Sequence, residues 1–113
     1  MTSFDLAKGA AHVAENKKAT RIVLQDLRGQ SDLCDFQLVC SASNEKQTQA
    51  ICQGMEDFAK SQFNVKAYAV EGKESGSWIL LDFGSFIAHI FDDAVRDHYA
   101  LDQLWPKAKA LAY

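Results

Sequence analysis

The sequence is poor in chain breakers and has no long apolar run. Its 113 residues include one proline, Pro106, and no apolar run approaches the ~18 residues of a membrane-spanning helix. The N-terminal stretch MTSFDLAKGAAHVAENKK carries Asp5 and lacks an apolar block, so we expect no signal peptide. Without repeats or low-complexity segments, the chain is predicted to form one domain over residues 1–105, followed by a loose tail over residues 106–113.

Cysteine is scarce as well. The chain has an odd number of cysteines, Cys34, Cys40 and Cys52, and no two of them form a CxxC pair. Disulfide frameworks and cysteine-based zinc sites both need paired cysteines at suitable spacing. The sequence therefore predicts free thiols in a protein of the reducing cytoplasm.

Motifs for phosphate binding and nucleophilic catalysis are missing. The glycines are scattered, and GxGxxG, GxxxxGKS and GxSxG do not occur. Asp82-Phe83-Gly84 spells the magnesium motif of protein kinases, but a kinase also needs a Gly-rich loop, a strand lysine and a catalytic loop in a much longer chain. We interpret these three residues as part of a hairpin turn.

Metal-dependent chemistry has little support in the sequence. His12, His89 and His98 have no histidine or cysteine partner at ligand spacing, so no metal or cofactor is expected. A nucleotidyltransferase needs paired carboxylates after a Gly-Ser turn to hold two metal ions, and no such pair follows Gly84-Ser85. We expect a protein that is not an enzyme, with a nucleotidyltransferase-like nucleotide-binding domain as the alternative.

Positive charge is concentrated only mildly, in an N-terminal group of Lys8, Lys17, Lys18 and Arg21. The net charge is −3, so a sequence-specific nucleic-acid-binding domain is not expected. Residues 65–105 hold seven carboxylates and three basic side chains. This excess is typical of a solvated acidic surface, and it also suits a surface that meets a basic partner protein, because complementary potentials steer encounter.

Hydrophobic periodicity predicts three helices and five strands. Helices are expected over residues 3–17, 44–61 and a short segment from Asp92, with Thr2, Asn44 and Asp92 as capping residues. Strands are expected over residues 21–27, 35–40, 65–70 and both halves of 77–91. The order α-β-β-α-β-β-β-α predicts an α+β fold, a mixed five-stranded sheet flanked by helices. Strands 35–40 and 65–70 should be parallel, joined by a right-handed crossover, and the other neighbours antiparallel.

The stretch SWILLDFGSFIAHIF, residues 77–91, predicts a hairpin with two different faces. With Phe83-Gly84 as the turn, one face holds three opposed pairs: Asp82 with Ser85, Leu80 with Ile87, and Trp78 with His89. The other face is apolar and holds Ile79, Leu81, Phe86, Ala88 and Ile90. We predict that the apolar face joins the core. The mixed face is predicted to meet a partner protein, with Trp78 as its anchor, or to lie under a helix of the same chain.

The second half of the chain carries an ordered set of landmarks. EGKESGSWILLDFGSFIAHIF is followed by RDHYALDQLW, residues 96–105. An EG loop, a Trp, an apolar run ending in Asp-x-Gly, an apolar–His–apolar strand and Arg-x-x-Tyr-x-Leu-acid-x-Leu-Trp resemble the ribosomal silencing factors, the Iojap-related family. Asp26…Gly29, the segment 35–40 and the Ser-rich turn before Lys46-Gln47 are also similar, so the resemblance covers about residues 3–105.

The resemblance implies a function in translation. Members of that family bind the large ribosomal subunit through its fourteenth protein at the intersubunit face, block subunit joining and so repress translation when nutrients run short. Their fold is similar to that of nucleotidyltransferases, without the catalysis. The partner-binding residues that the resemblance implies are Trp78, Asp82, His89, Arg96, Tyr99, Leu101 and Trp105.

Three positions depart from the pattern of the family. Ser85 stands where Asp is usual, Asp102 where Glu is usual, and Lys46 where Arg is common. Leu104 and Trp105 are equally compatible with packing of the tail onto the sheet. Apolar positions around Trp78 would also allow a homodimer, and a general protein adaptor is a further alternative.

Overall fold

The computed structural model describes residues 2–99 and 109–113. Within them, the helices are α1 (Ser3–Asn16), α2 (Glu45–Phe63) and α3 (Asp93–Tyr99). The strands are β1 (Thr20–Asp26), β2 (Phe36–Ala42), β3 (Ala69–Glu71), β4 (Trp78–Asp82), β5 (Phe86–Asp92) and β6 (Lys109–Ala110). They form one mixed sheet in the order β3-β4-β5-β2-β1-β6. The predicted α+β class, with a mixed sheet and flanking helices, is confirmed.

The sheet has one strand more than the five predicted. β6 pairs antiparallel with β1, with Ala110 opposite Gln25, and the Leu111 amide donates to the Leu24 carbonyl at 2.8 Å. Residues 109–111 thus extend the sheet, in a segment where the sequence analysis predicted no strand. The predicted domain boundary at residue 105 lies outside the described residues and stays a prediction.

The crossover through α2 ends at the edge of the sheet. β2 runs parallel to β5, β5 antiparallel to β4, and β4 antiparallel to β3. β3 therefore has the same direction as β2, as predicted, but β4 and β5 lie between them. Every residue of β2 is buried, as expected for a central strand covered on both faces.

β3 starts later than its sequence pattern predicts. α2 continues to Phe63 and ends at Asn64, which adopts the left-handed conformation with a φ of 53°. Asparagine tolerates this conformation and is a common residue at helix ends. The Val65 amide still donates to the Ala59 carbonyl at 3.1 Å, so Val65 belongs to the helix end and the strand begins only at Ala69.

The core lies between the sheet and the helices α1 and α2. The predicted apolar face of the hairpin is fully buried there: Ile79, Leu81, Phe86, Ala88 and Ile90 are each 0% exposed. Burying a side chain such as Leu or Ile stabilises a fold by about 1.5–3 kcal/mol. α1 contributes small residues, with Ala7, Ala10, Ala11 and Ala14 buried, whereas α2 contributes the larger Ile51 and Met55. The assignment of the apolar face to the core is therefore correct.

The predicted capping box of α1 is present. The Asp5 amide donates to the Thr2 hydroxyl at 3.1 Å, and the Thr2 amide donates to the Asp5 carboxylate at 3.2 Å. We expect Thr2→Ala to lower the free energy of unfolding by about 1 kcal/mol in urea denaturation, because an end amide of α1 loses its acceptor. Thr2→Ser keeps the hydroxyl and should match the wild type. Equal stability of all three proteins would contradict a contribution from this cap.

Candidate partner-binding site

The β4–β5 hairpin turns at a different place from the one predicted. Gly84 and Ser85 form the two-residue loop, and the Phe83 amide donates to the Phe86 carbonyl at 2.9 Å. Trp78 consequently lies opposite Phe91 instead of His89. The predicted register was wrong by two residues. Because side chains alternate with a period of two, a shift of two leaves each side chain on its predicted face.

We name as the outer face the side of the sheet that points away from α1 and α2. Its residues on the hairpin are Trp78, Leu80, Asp82, Ile87, His89 and Phe91. Those of β4 are half-buried, whereas His89 is 7% exposed and Phe91 1%. On β2, Val39 and Gln37 are buried as well. The outer face is therefore buried over β2 and at His89 and Phe91 of β5, and partly exposed at Ile87, β4 and β3.

Trp78 is held by two aromatic neighbours on β5. Its indole Nε1–H donates to His89 Nδ1 at 3.1 Å, and its ring stacks on Phe91 with centroids 5.1 Å apart. Because the indole can only donate, Nδ1 of His89 must be unprotonated, so the neutral ring carries its proton on Nε2. Burial lowers the pKa of His89 from 6.5 to about 4, which keeps the ring neutral near pH 7. The contact between Trp78 and His89 joins diagonal neighbours instead of an opposed pair.

A shallow depression opens beside Trp78 at the edge of the sheet. It is lined by Glu71, Gly72, Trp78 and Leu80 and has a volume of about 220 Å³. Glu71 lies opposite Leu80 in the pairing of β3 with β4, so both side chains are on the outer face. The depression thus combines an aromatic ring, an aliphatic side chain and one carboxylate.

Asp82 stabilises the hairpin turn. Its Oδ1 accepts a hydrogen bond from the Gly84 amide at 2.7 Å, and Gly84 has a φ of +92° that favours glycine. One carboxylate oxygen therefore stabilises the turn, while the residue is half-buried on the outer face. Asp82-Phe83-Gly84 is a structural part of the hairpin, as the sequence predicted.

Arg96 lies inside the protein. It is 2% exposed, and its Nη1 donates to the Arg21 carbonyl at 2.5 Å and to the Ser41 hydroxyl at 2.8 Å. Arg21 sits at an irregularity of β1 with a φ of 50°, and its own guanidinium pairs with Asp97 at 2.9 Å. These contacts join α3 to the ends of β1 and β2. The structure gives Arg96 an internal role that the sequence pattern did not indicate.

Of the remaining predicted site residues, only Tyr99 falls within the described residues. Tyr99 is the last residue of α3. Leu101 and Trp105 lie outside the described residues. Their assignment to a partner surface stays a prediction.

The sequence prediction missed Glu71 and Phe91 as members of the site, whereas it placed Leu80 correctly on the mixed face of the hairpin. Phe91 carries a recognisable signal, since alternation from His89 places it on the outer face. Glu71 is harder to find, because its position opposite Leu80 depends on where β3 begins.

The described residues offer little for covalent or metal chemistry. None of their His, Cys, Asp and Glu side chains form a group of three or more that could hold a metal ion. The thiols of Cys34, Cys40 and Cys52 are buried, and burial raises their pKa values to about 11, 12 and 12. Each is therefore a neutral thiol at pH 7. In the part of the chain that the structure describes, no helix combines the length and apolar character needed to cross a membrane.

Comparison with known proteins connects this fold to a family. The family model described as ribosomal silencing factor during starvation matches residues 1–112. Ribosomal silencing factors of Halalkalibacterium halodurans and Bacillus subtilis are 33% and 32% identical over 108 residues, which span 96% of this chain and 92% and 91% of those proteins. A crystal structure of a Chromobacterium violaceum protein superimposes with a TM-score of 0.89 at 28% identity, over 96% of this chain and 90% of that one. The chain therefore belongs to the ribosomal silencing factor family.

Proposed function

We propose that this protein binds the large ribosomal subunit at its intersubunit face, through the fourteenth large-subunit protein, and so blocks joining of the small subunit. Membership of the family supports ribosome binding in the cytoplasm and repression of translation. We place the binding site on the outer face because of one observation: the half-buried Trp78 is fixed by Phe91 and His89 beside an open depression.

The geometry of this site suits protein recognition. An anchor residue binds best when its conformation is already set, because less conformational freedom is then lost on association. The hydrogen bond to His89 and the stacking on Phe91 hold the Trp78 ring in one orientation. Tryptophan in such a setting is among the residues most often found at binding hot spots.

The charge of the site indicates the chemistry of the partner. Glu71, on β3, lines the depression, and Asp82, on β4, lies on the same outer face of the sheet. The partner is expected to insert an apolar side chain beside Leu80 and to bring lysine or arginine toward these carboxylates. Complementary charge of this kind speeds association and selects the partner.

In the proposed mechanism, occupancy of the intersubunit face is enough for repression. A bound protein of 34 × 32 × 23 Å would take up surface that the small subunit has to contact. His89 and Arg96 support the site from inside, whereas Trp78, Leu80, Asp82 and Glu71 form the proposed contact surface. Tyr99, Leu101 and Trp105 belong to that proposed surface on the basis of the family resemblance.

Sedimentation with purified ribosomal subunits tests the proposal. We expect the protein to co-sediment with large subunits and not with small subunits. Light scattering of mixed subunits should then show that joining decreases as the large subunits become occupied. Binding to small subunits alone, or normal joining when large subunits are saturated, would contradict the proposed mechanism.

A homodimer formed through the same surface would compete with the large subunit. The sedimentation is therefore repeated over a range of protein concentrations, with the oligomeric state measured by light scattering. A large subunit that lacks its fourteenth protein is the matched control and should not retain the factor. Undiminished binding to that control would remove this protein as the attachment point.

A further inference from the structure

One side of α2 holds the loop that precedes Trp78. This loop, residues 72–77, is contacted by successive polar side chains of the helix. The Thr48 hydroxyl lies 2.7 Å from the Gly76 carbonyl oxygen, and the Gln49 amide donates to the carbonyls of Lys73 and Glu74 at 2.9 and 3.0 Å. Lys73 in turn donates to Gln53 and Glu56, at 2.8 Å each. The loop is therefore fixed to α2 by its backbone and by a side chain.

The loop is packed directly against Trp78. Gly72 has a φ of +79°, and a side chain at this position would overlap the carbonyl oxygen of Trp78. The loop is closed by the Gly76 amide, which donates to the Gly72 carbonyl at 2.9 Å. A side chain at Gly76 would meet Glu45 and Thr48. Gly76 is thus joined by a hydrogen bond to Gly72, which lies directly against the backbone of Trp78.

Thr48 is the buried member of this set of contacts. It is 0% exposed, and its hydroxyl also lies 2.7 Å from the Glu45 carbonyl. Threonine within a helix often bonds only to a carbonyl of its own preceding turn. Here the same hydroxyl is shared with Gly76, a residue of the loop, so the contact couples two separate elements.

We infer that Thr48 is a positioning residue for Trp78, acting through the 72–77 loop, with Gln49 as its second attachment. This inference rests on the proposed function, because Trp78 is its contact residue. Without the Thr48 hydroxyl, the Gly76 carbonyl loses its buried donor and the loop moves away from α2. The Trp78 ring then leaves the orientation in which it meets His89.

The test compares Thr48→Val, which has a similar shape without the hydroxyl, with Thr48→Ser, which keeps it. The first readout is the NMR signal of the Trp78 indole N–H, assigned with Trp78→Phe, since its shift reports the hydrogen bond to His89. The second is binding to large subunits. We expect Thr48→Val to shift the signal and to weaken binding roughly tenfold, and Thr48→Ser to restore both.

Gln49→Glu changes a position that is less buried than Thr48. Gln49 is only half-buried, and a carboxylate cannot donate to the carbonyls of Lys73 and Glu74. We expect this variant to fold, to shift the indole signal and to weaken binding. If Thr48→Val is unfolded, Gln49→Glu decides whether attachment of the 72–77 loop to α2 orients Trp78.

The outcomes separate the inference from the proposed function. An unchanged indole signal in both variants, or lower stability with unchanged binding, would overturn the positioning role. If the wild type does not bind large subunits, the proposed function fails. The indole signal would then still show whether α2 sets the orientation of Trp78.

Discussion

Replacing Trp78 by alanine is expected to weaken binding to the large ribosomal subunit by about 2 kcal/mol or more, a factor of roughly thirty. The indole is the largest side chain beside the depression formed with Glu71, Gly72 and Leu80. Its removal deletes the apolar surface that the partner would cover and leaves His89 without its donor. Titration of labelled protein against purified large subunits measures the change.

Matched variants separate binding from folding. Trp78→Phe keeps an aromatic ring on Phe91 but loses the hydrogen bond to His89, so its affinity should fall between those of the wild type and Trp78→Ala. Tyr68→Ala removes another aromatic side chain, which is 82% exposed and lies where a side chain at Gly84 would extend. It should bind like the wild type. If Trp78→Ala folds normally and binds as tightly as the wild type, Trp78 does not belong to the contact surface.

The two faces of the hairpin could be predicted because the sequence alternates over most of its length. Apolar residues recur at every second position from Ile79 to Leu81 and from Phe86 to Ile90, and all of these are buried. The register could not be predicted, because Gly84 is compatible with a loop of Phe83-Gly84 or of Gly84-Ser85. The hydrogen bond between Phe83 and Phe86 and the pairing of Trp78 with Phe91 distinguish the two.

How deeply the polar residues are buried could not be predicted from the sequence pattern. Arg96 occurs in a family motif together with residues of a proposed partner surface, yet it is buried against Arg21 and Ser41. That burial depends on the irregular backbone at Arg21, which lies 75 residues away in the chain. A single sequence contains no local signal for such a contact. The same holds for Thr48, whose partner Gly76 lies on a different element.

His89 links the candidate site to the stability of the fold. Its ring lies beside the Trp78 indole, which donates to Nδ1, and 6.3 Å from the ring of Phe91 between centroids. A proton on Nδ1 would remove the only atom that can accept the Trp78 hydrogen. It would also place a positive charge at a buried position, which is why burial lowers the pKa from 6.5 to about 4.

Acid should therefore destabilise the protein through His89 before most carboxylates are protonated. Above pH 6.5 the ring is neutral in the folded and unfolded states, and its contribution to stability is complete. As the pH falls from 6.5 to about 4, only the unfolded chain takes up the proton, so the free energy of unfolding decreases. The total loss is about 3 kcal/mol, since one pKa unit corresponds to about 1.4 kcal/mol.

Urea denaturation at pH 7, 5.5 and 4, carried out on the wild type and on His89→Gln, measures this loss. Glutamine retains an acceptor for the Trp78 indole and does not titrate, so the variant should lose about 3 kcal/mol less than the wild type between pH 7 and pH 4. His98→Gln removes an exposed histidine and should keep the full dependence of the wild type. If the wild type and His89→Gln lose stability equally, the folded protein accepts the proton on His89 without cost, and the neutral ring is not what orients Trp78.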